Sequence, residues 1–207
     1  MPFIYDNLIA TLISMTVLLI LASIQTQATQ TNTARTSRNT VKAQAQQMAT
    51  WMEEDLAEIG KNMNATEAAF ENPQDSTDWH TTQLTFKYES LLASGGTERV
   101  KVRYELEKTG TRTVDGTDEI LFEVQRSQKV GDDPWTSEGQ SPGSLEYFEV
   151  NILNKDGTPV TNPPKTNRDK VESFRIRFSV IAPFQSESTF PRRVRRSIVV
   201  PYRLARK

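Results

Sequence analysis

Residues Ile4–Ile24 read IYDNLIATLISMTVLLILASI, an apolar run interrupted by small hydroxyl side chains and, near its start, by Asp6 and Asn7. An α-helix rises about 1.5 Å per residue, so about 20 apolar residues span a hydrocarbon core about 30 Å thick. The run has this length and predicts a transmembrane helix over residues 1–24. Its apolar surface would include Ile4, Leu8, Leu12, Leu19 and Ile24.

A cleavable signal peptide is the first alternative for this segment. Such peptides carry a basic stretch, a shorter apolar run and a small-residue cleavage site. Here no Lys or Arg precedes the apolar run, and no Ala-x-Ala directly follows it. We therefore expect the helix to be retained.

Asp6 is the unusual residue of the apolar segment, because a carboxylate costs about 2–3 kcal/mol at the centre of a bilayer and less near its surface. One interpretation places Asp6 among the lipid headgroups, where it caps the start of the helix. The other pairs it with a positive group on another chain, for example a neighbour's N-terminal amine. The sequence leaves both interpretations open.

Residues 25–60 are predicted to continue the same helix as a stalk, because no Gly or Pro occurs from Gln25 to Ile59. The polar, Thr-rich part from Gln25 to Asn39 has modest helix propensity. Beyond it, apolar residues recur at helical spacing until Gly60, a natural stop signal. This face would pack on the rest of the chain, with a coiled-coil partner as the rival interpretation. The face comprises Val41, Ala45, Met48, Met52, Leu56 and Ile59, whereas Trp51, Glu53, Glu54, Asp55 and Glu58 lie largely off it.

Residues 61–207 are predicted to form a β-rich globular head. Apolar and polar residues alternate with period two in six segments, as expected for strands with one buried face. The fold class is therefore α+β, a long N-terminal helix whose amphipathic half packs on an antiparallel sheet. The predicted strands contain Leu84–Tyr88, Val100–Leu106, Ile120–Val124, Phe148–Ile152, Phe174–Val180 and Ile198–Leu204.

Turn-forming residues separate these strands. Gly95-Gly96, Gly110–Gly116 and Asn154–Gly157 predict turns, and Lys129–Ser144 and Thr158–Asp169 predict longer loops, where variable contacts usually lie.

The residue inventory argues against catalysis and against a cofactor. The chain has no cysteine and one histidine, His80, which we expect in a solvent-exposed loop, so zinc and a Ser-His-Asp triad are poorly supported. No phosphate-binding Gly-rich loop occurs. Asp132, Asp133 and Asp156 could supply oxygens to calcium, but their density is low and turn formation is the default. We expect no enzyme and no metal site.

Basic residues are concentrated at the C-terminal end. Arg192, Arg193, Arg195 and Arg196 lie in FPRRVRR, and no acid follows them. They could contact an anionic partner such as nucleic acid. The alternative, which we favour, is that they pair with the acidic end of the helix or with the same acids on a neighbouring chain, or lie on the solvent face of a strand.

The organisation over the whole chain resembles the type IV pilin superfamily, which includes type IV pilins and the pseudopilins of type II secretion. The head segments LEYFEVNILNKDG (Leu145–Gly157) and VESFRIRFSV (Val171–Val180) look most like those of the larger minor pseudopilins and minor pilins. Asp6 is similar to the family's acidic residue at position five of the mature chain, if Met1 is removed. The family's basic leader ending in Gly is not seen, which puts the maturation step in doubt.

The resemblance implies a structural subunit whose apolar helix spans the inner membrane and then lines a filament core. It implies an extracytoplasmic head, other pilin-like subunits and membrane assembly machinery as partners, and Asp6 as the residue that pairs with a neighbour's amine.

Counting Arg35, Arg38 and Lys42 beyond the apolar run suggests the opposite orientation, with the head in the cytoplasm. The rival function is a single-pass anchored binding module that never polymerises.

Overall fold

The computed structural model begins with one long helix, α1 (Pro2–Ala57). The structure describes residues 2–64, 67–71, 73–75, 80–93, 95–114, 116–160, 171–182 and 193–202. At about 1.5 Å per residue, α1 is about 84 Å long. It continues without interruption through the Thr-rich segment, where Thr26 and Thr29 donate hydrogen bonds to the carbonyls of Ala22 and Gln25, each at 2.9 Å. The threonine hydroxyls are thus satisfied by the helix itself.

The regular helix ends at Ala57, three residues before the predicted stop at Gly60. The amides of Glu58 and Ile59 donate to carbonyls three residues back, which tightens the last turn. Gly60 has a φ of 73°, and its amide donates to the carbonyl of Lys87 at 2.9 Å. The end of the helix is thereby joined directly to the sheet.

In the part of the chain that the structure describes, eight antiparallel strands form the head, in the order β1-β2-β3-β4-β6-β7-β8, with β5 paired to β4 beside this row. The α+β fold predicted from the sequence is confirmed. Five predicted strands fall within β2, β3, β4, β6 and β7, and the sixth, Ile198–Leu204, overlaps the end of β8 as far as Pro201. The strands are β1 (Gln74–Asp75), β2 (Thr81–Leu91), β3 (Thr97–Val114), β4 (Thr117–Val130), β5 (Thr136–Gln140), β6 (Leu145–Leu153), β7 (Ser173–Ile181) and β8 (Arg193–Pro201).

The sheet consists of two halves joined at a narrow point. In the described part of the chain, β4 and β6 pair at Phe122 and Leu145 alone. At the same junction the Thr81 hydroxyl accepts a hydrogen bond from the amide of Val150 at 2.8 Å, which satisfies an amide that β4 does not reach.

Two predicted connections proved wrong because they contain strand. The predicted loop Lys129–Ser144 includes the end of β4 and all of β5, whose residues are polar and exposed and carry no apolar alternation. The predicted turn Gly110–Gly116 lies mostly inside β3, which absorbs Gly110 through a bulge after Lys108. Leu204 and most of Thr158–Asp169 lie outside the described residues, whereas the turns at Gly95 and Asn154–Gly157 form as predicted.

The core lies between the amphipathic half of α1 and the inner face of the sheet. An aromatic cluster marks one end of it, where the ring of Phe70 meets those of Phe174 and Tyr202 at centroid distances of 4.9 and 5.4 Å. Phe70 comes from the connector after α1 and is buried, bridged to Phe86 of β2. The connector therefore closes the end of the core that the helix leaves uncovered.

Replacing Phe70 with Ala should lower the free energy of unfolding by about 3–5 kcal/mol, because it opens a cavity among rings that cannot collapse to fill it. Chemical denaturation in detergent micelles, followed by near-ultraviolet circular dichroism, would measure the change. Leu91→Ala is the matched control, since Leu91 is exposed and its loss should change stability by at most about 0.5 kcal/mol. Equal effects of the two substitutions would contradict this account of the core.

Candidate functional site

The first half of α1 exposes its large apolar side chains from Tyr5 to Ile24. This half is long and apolar enough to cross a membrane, and none of its apolar stretch is buried within the protein. Leu8, Leu12, Leu19 and Ile24 are each more than half exposed. The side chain of Ile4 lies outside the described part of the chain. The fold thus leaves a large apolar surface that only lipid or another chain can cover.

Three hydroxyl side chains in this apolar half donate hydrogen bonds within the helix. The hydroxyls of Thr11, Ser14 and Thr16 each donate to the carbonyl four residues back, at 2.8 Å for Ser14 and Thr16. An apolar medium offers no water to such groups, and unpaired ones cost several kcal/mol each. The segment can therefore enter lipid, or pack against other apolar helices, without exposing these hydroxyl donors.

Asp6 lies on the exposed surface of α1, beyond its first turn. The interpretation in which Asp6 caps the helix start is therefore wrong, because α1 begins at Pro2 and the effect of the helix dipole fades within one turn. The interpretation in which Asp6 pairs with a group on another chain stays a prediction.

The second half of α1 is held under the sheet by its apolar face. Val41, Met48, Met52, Leu56 and Ile59 are all buried in the core. This half packs mainly against β7 and β8. The contact joins the exposed apolar segment to the head through one continuous helix.

A partly buried ion pair beside this face was not predicted from the sequence. Asp55 of α1 accepts two hydrogen bonds from the guanidinium of Arg126 on β4, at 2.7 and 3.1 Å. The Tyr104 hydroxyl on β3 also donates to Asp55, and the Tyr104 ring meets Trp51 edge-on at 5.5 Å between centroids. Asp55 and Trp51, both placed largely off the buried face, are thus partly buried.

A signal for this ion pair was nevertheless present in the alternation of β4. Arg126 continues the inward series Phe122, Val124, so a charge at that position requires an acidic partner beneath the sheet. Asp55 is four residues after Trp51 and stacks on the same side of the helix. The sequence does not show which strand crosses the end of α1, so it could not pair Asp55 with Arg126.

The four C-terminal arginines do not form one continuous patch. Arg193 pairs with Glu119 at 2.9 Å and also with Glu146, while Arg195 and Arg196 are exposed on opposite faces of β8. Arg192 lies outside the described residues. The expected pairing with the acidic end of the helix was wrong for Arg193, because β8 places it beside β4 and β6, and Asp55 is bound by Arg126 instead.

His80 and the acidic loops also have defined surroundings. His80 is half-buried rather than solvent-exposed as expected, and its ring lies 5.0 Å from that of Phe122 and 5.7 Å from that of Tyr147. The amides of Asp133 and Asp156 donate within turns, to Val130 and Asn154. Among the described residues, no three His, Asp or Glu side chains are grouped so that they could hold a metal ion.

Comparison with family models, curated proteins and solved structures found no match to this chain.

Asp55→Ala should lower the free energy of unfolding by about 3–5 kcal/mol, because it leaves the Arg126 guanidinium buried without its partner. Denaturant unfolding in detergent micelles would measure the loss. Glu54→Ala is the control, since Glu54 is exposed one position away and should contribute at most about 0.5 kcal/mol. The double variant Asp55→Ala/Arg126→Met should recover part of the loss. If the double variant is no more stable than Asp55→Ala alone, the unpaired Arg126 is not the cause of the lost stability.

Stability should also fall at alkaline pH through Tyr104. Burial raises the pKa of Tyr104 well above its usual range, and the adjacent Asp55 carboxylate raises it further. The folded state therefore holds this proton more tightly than the unfolded state, so the contribution is intact below about pH 10 and is lost as the pH rises beyond it. Unfolding measured between pH 8 and pH 11.5 should show a steeper loss for the wild-type chain than for Tyr104→Phe. The same pH dependence of unfolding in the two chains would refute the assignment of the alkaline loss of stability to Tyr104.

Proposed function

We propose that this chain is a pilin-like structural subunit, major or minor, of a type IV pilus or type II secretion pseudopilus, anchored in a membrane before assembly. The observation that carries the proposal is the division of α1 into two halves with opposite surroundings. The large apolar side chains from Tyr5 to Ile24 are exposed, whereas the apolar face of the second half is buried under the head. A helix of this kind suits two successive environments, lipid before assembly and the helices of other subunits afterwards.

The energetics favour covering the apolar half at all times. Burying one Leu or Ile side chain is worth about 1.5–3 kcal/mol, and large apolar side chains are exposed from Tyr5 to Ile24. Transfer from lipid to a helical bundle adds little hydrophobic energy, since lipid tails are as apolar as leucine. Helix packing and polar pairing must then drive assembly, and Asp6 is the acidic group on this surface.

Pairing of Asp6 with a neighbour's N-terminal amine would supply both energy and register. An isolated carboxylate is costly in an apolar medium, and an opposite charge offsets this cost. The partners in this proposal are other pilin-like subunits, forming a homo- or hetero-oligomeric filament, together with membrane assembly machinery. The subunit would cross the inner membrane once with its head outside the cytoplasm, and the filament would be periplasmic or extracellular.

Disulfide cross-linking in membranes tests assembly directly, because the native chain contains no cysteine. A panel of double-cysteine variants would pair one position at Leu8 or Leu12 with one at Leu19 or Ile24. In a staggered filament, at least one combination should give a ladder of covalent multimers on oxidation. Monomers and dimers throughout the panel would instead favour a single-pass anchored binding module that does not polymerise.

The same panel tests the role of Asp6. Asp6→Ala should abolish the multimer ladder while the protein still sediments with membranes and resists alkaline extraction. Asn7→Ala is the matched control, because it removes a neighbouring polar side chain and should leave the ladder intact. A full ladder from Asp6→Ala would overturn the proposed pairing.

A further inference from the structure

A cavity of about 760 Å³ lies against the face of β6–β8 that points away from α1. On β7 the residues Phe174, Ile176 and Phe178 are buried in the core, so Arg175 and Arg177, which alternate with them, lie on the opposite face. The cavity falls within the usual volume range of small-molecule sites, about 300–1,000 Å³. The cavity is lined by His80, Glu146, Tyr147, Arg177, Arg195 and Ser197, and also by Phe178 and Arg196.

Strand register brings two arginines together on this face. Arg177 of β7 stands opposite Ser197 of β8, and Arg195 stands opposite Ser179, so the two arginines are diagonal neighbours. Diagonal positions on adjacent antiparallel strands are roughly 7–8 Å apart, within reach of long side chains. Both intervening residues are small serines, which leave the space between the guanidinium groups open.

The acidic groups near the cavity are already engaged. Glu146 accepts hydrogen bonds from Arg193 and, at 3.1 Å, from Ser179. Glu149 lies beside Arg177, 3.4 Å from its Nη1, and also accepts from the Tyr147 hydroxyl. Within the described part of the chain, Arg195 makes no ion pair. The same holds for Arg196, which also lines the cavity, so the cavity has an excess of positive charge.

Tyr147 and Glu149 hold the cavity wall in place. Burial raises the pKa of Tyr147 to about 12, and its hydrogen bond to Glu149 acts in the same direction. Burial alone would raise the pKa of Glu149, but the hydrogen bond from Tyr147 and the charge of Arg177 outweigh it and lower that pKa. Tyr147 thus stays a neutral donor and Glu149 an anion at neutral pH, and together they position Arg177.

The aromatic side of the cavity is formed by His80 and Tyr147. Their rings are 5.7 Å apart and tilted by 59°, and the His80 ring also rests on Phe122. A ring-shaped ligand can pack on such a surface while its charged group reaches the arginines. Guanidinium groups bind carboxylate and phosphate oxygens through paired, charge-assisted hydrogen bonds.

We propose that this cavity binds a small, ring-sized ligand that carries an oxyanion, either a carboxylate or a phosphate. Arg177 and Arg195 contact the oxyanion, Ser197 donates a further hydrogen bond, and the ligand body lies against His80 and Tyr147. This binding concerns the head alone and does not require that the chain assemble into filaments.

Calorimetric titration of the full chain in detergent micelles would test the proposal with four probes. Glucuronate carries a carboxylate on a ring, glucose 6-phosphate a phosphate on a ring, inorganic phosphate the oxyanion alone and glucose the ring alone. Glucuronate or glucose 6-phosphate should bind at least about tenfold more tightly than glucose. The preferred ring-bearing probe identifies the oxyanion. The proposal fails if neither binds at millimolar concentration, or if glucose binds equally well.

Substitutions separate a built site from general charge attraction. Arg195→Gln should weaken the preferred probe about tenfold or more, whereas Arg195→Lys should weaken it less, because Lys keeps the charge but loses the paired donors. Arg175→Gln is the matched control, since Arg175 lies on the same face of β7 but does not line the cavity, and affinity should change less than about twofold. Unfolding temperatures of the three variants would verify that each is folded. Equal weakening by Arg175→Gln and Arg195→Gln would overturn the proposal.

Discussion

The packing of one helix face against the inner side of the sheet is the contact on which the rest of the structure depends. An apolar stripe alone would tolerate sliding of α1 by one turn, about 5.4 Å, since similar residues recur along it. The hydrogen bonds of Asp55 with Arg126 and Tyr104 remove this freedom, because charged partners tolerate little displacement in a partly buried site. The bond from Gly60 to Lys87 secures the helix end in the same way.

This anchoring gives the exposed half of α1 its significance. Because the second half is buried under the head, the first half of the same helix is an exposed apolar rod, in which the hydroxyls of Ser14 and Thr16 already donate within the helix. Such a rod has a low free energy only when lipid or other helices surround it. A membrane anchor is compatible with that requirement. In a filament subunit, the proposed function, lipid would surround the segment before assembly and other helices would surround it afterwards.

The two faces of the β6–β8 half of the sheet carry different kinds of side chain. The inner face carries the aromatic and aliphatic side chains that cover α1, while the outer face carries arginines, glutamates and a tyrosine at alternating positions. Most of these charges neutralise one another across strands, as in the pair between Arg177 and Glu149. Where pairing stops, at Arg195, the half-buried His80 and Tyr147 form the wall of a cavity.

Local periodicity in the sequence determined the long helix, its apolar half, its buried face from Val41 to Ile59 and six of the strands, because each pattern repeats within a few residues. It did not reveal β5, whose exposed residues carry no alternation, or the buried role of Phe70 in a connector. Only the tertiary structure decided that Arg126 meets Asp55 and that Arg177 and Arg195 share a cavity with His80. These groups are far apart in the chain, and strand order and register, set by pairing across the whole sheet, bring them together.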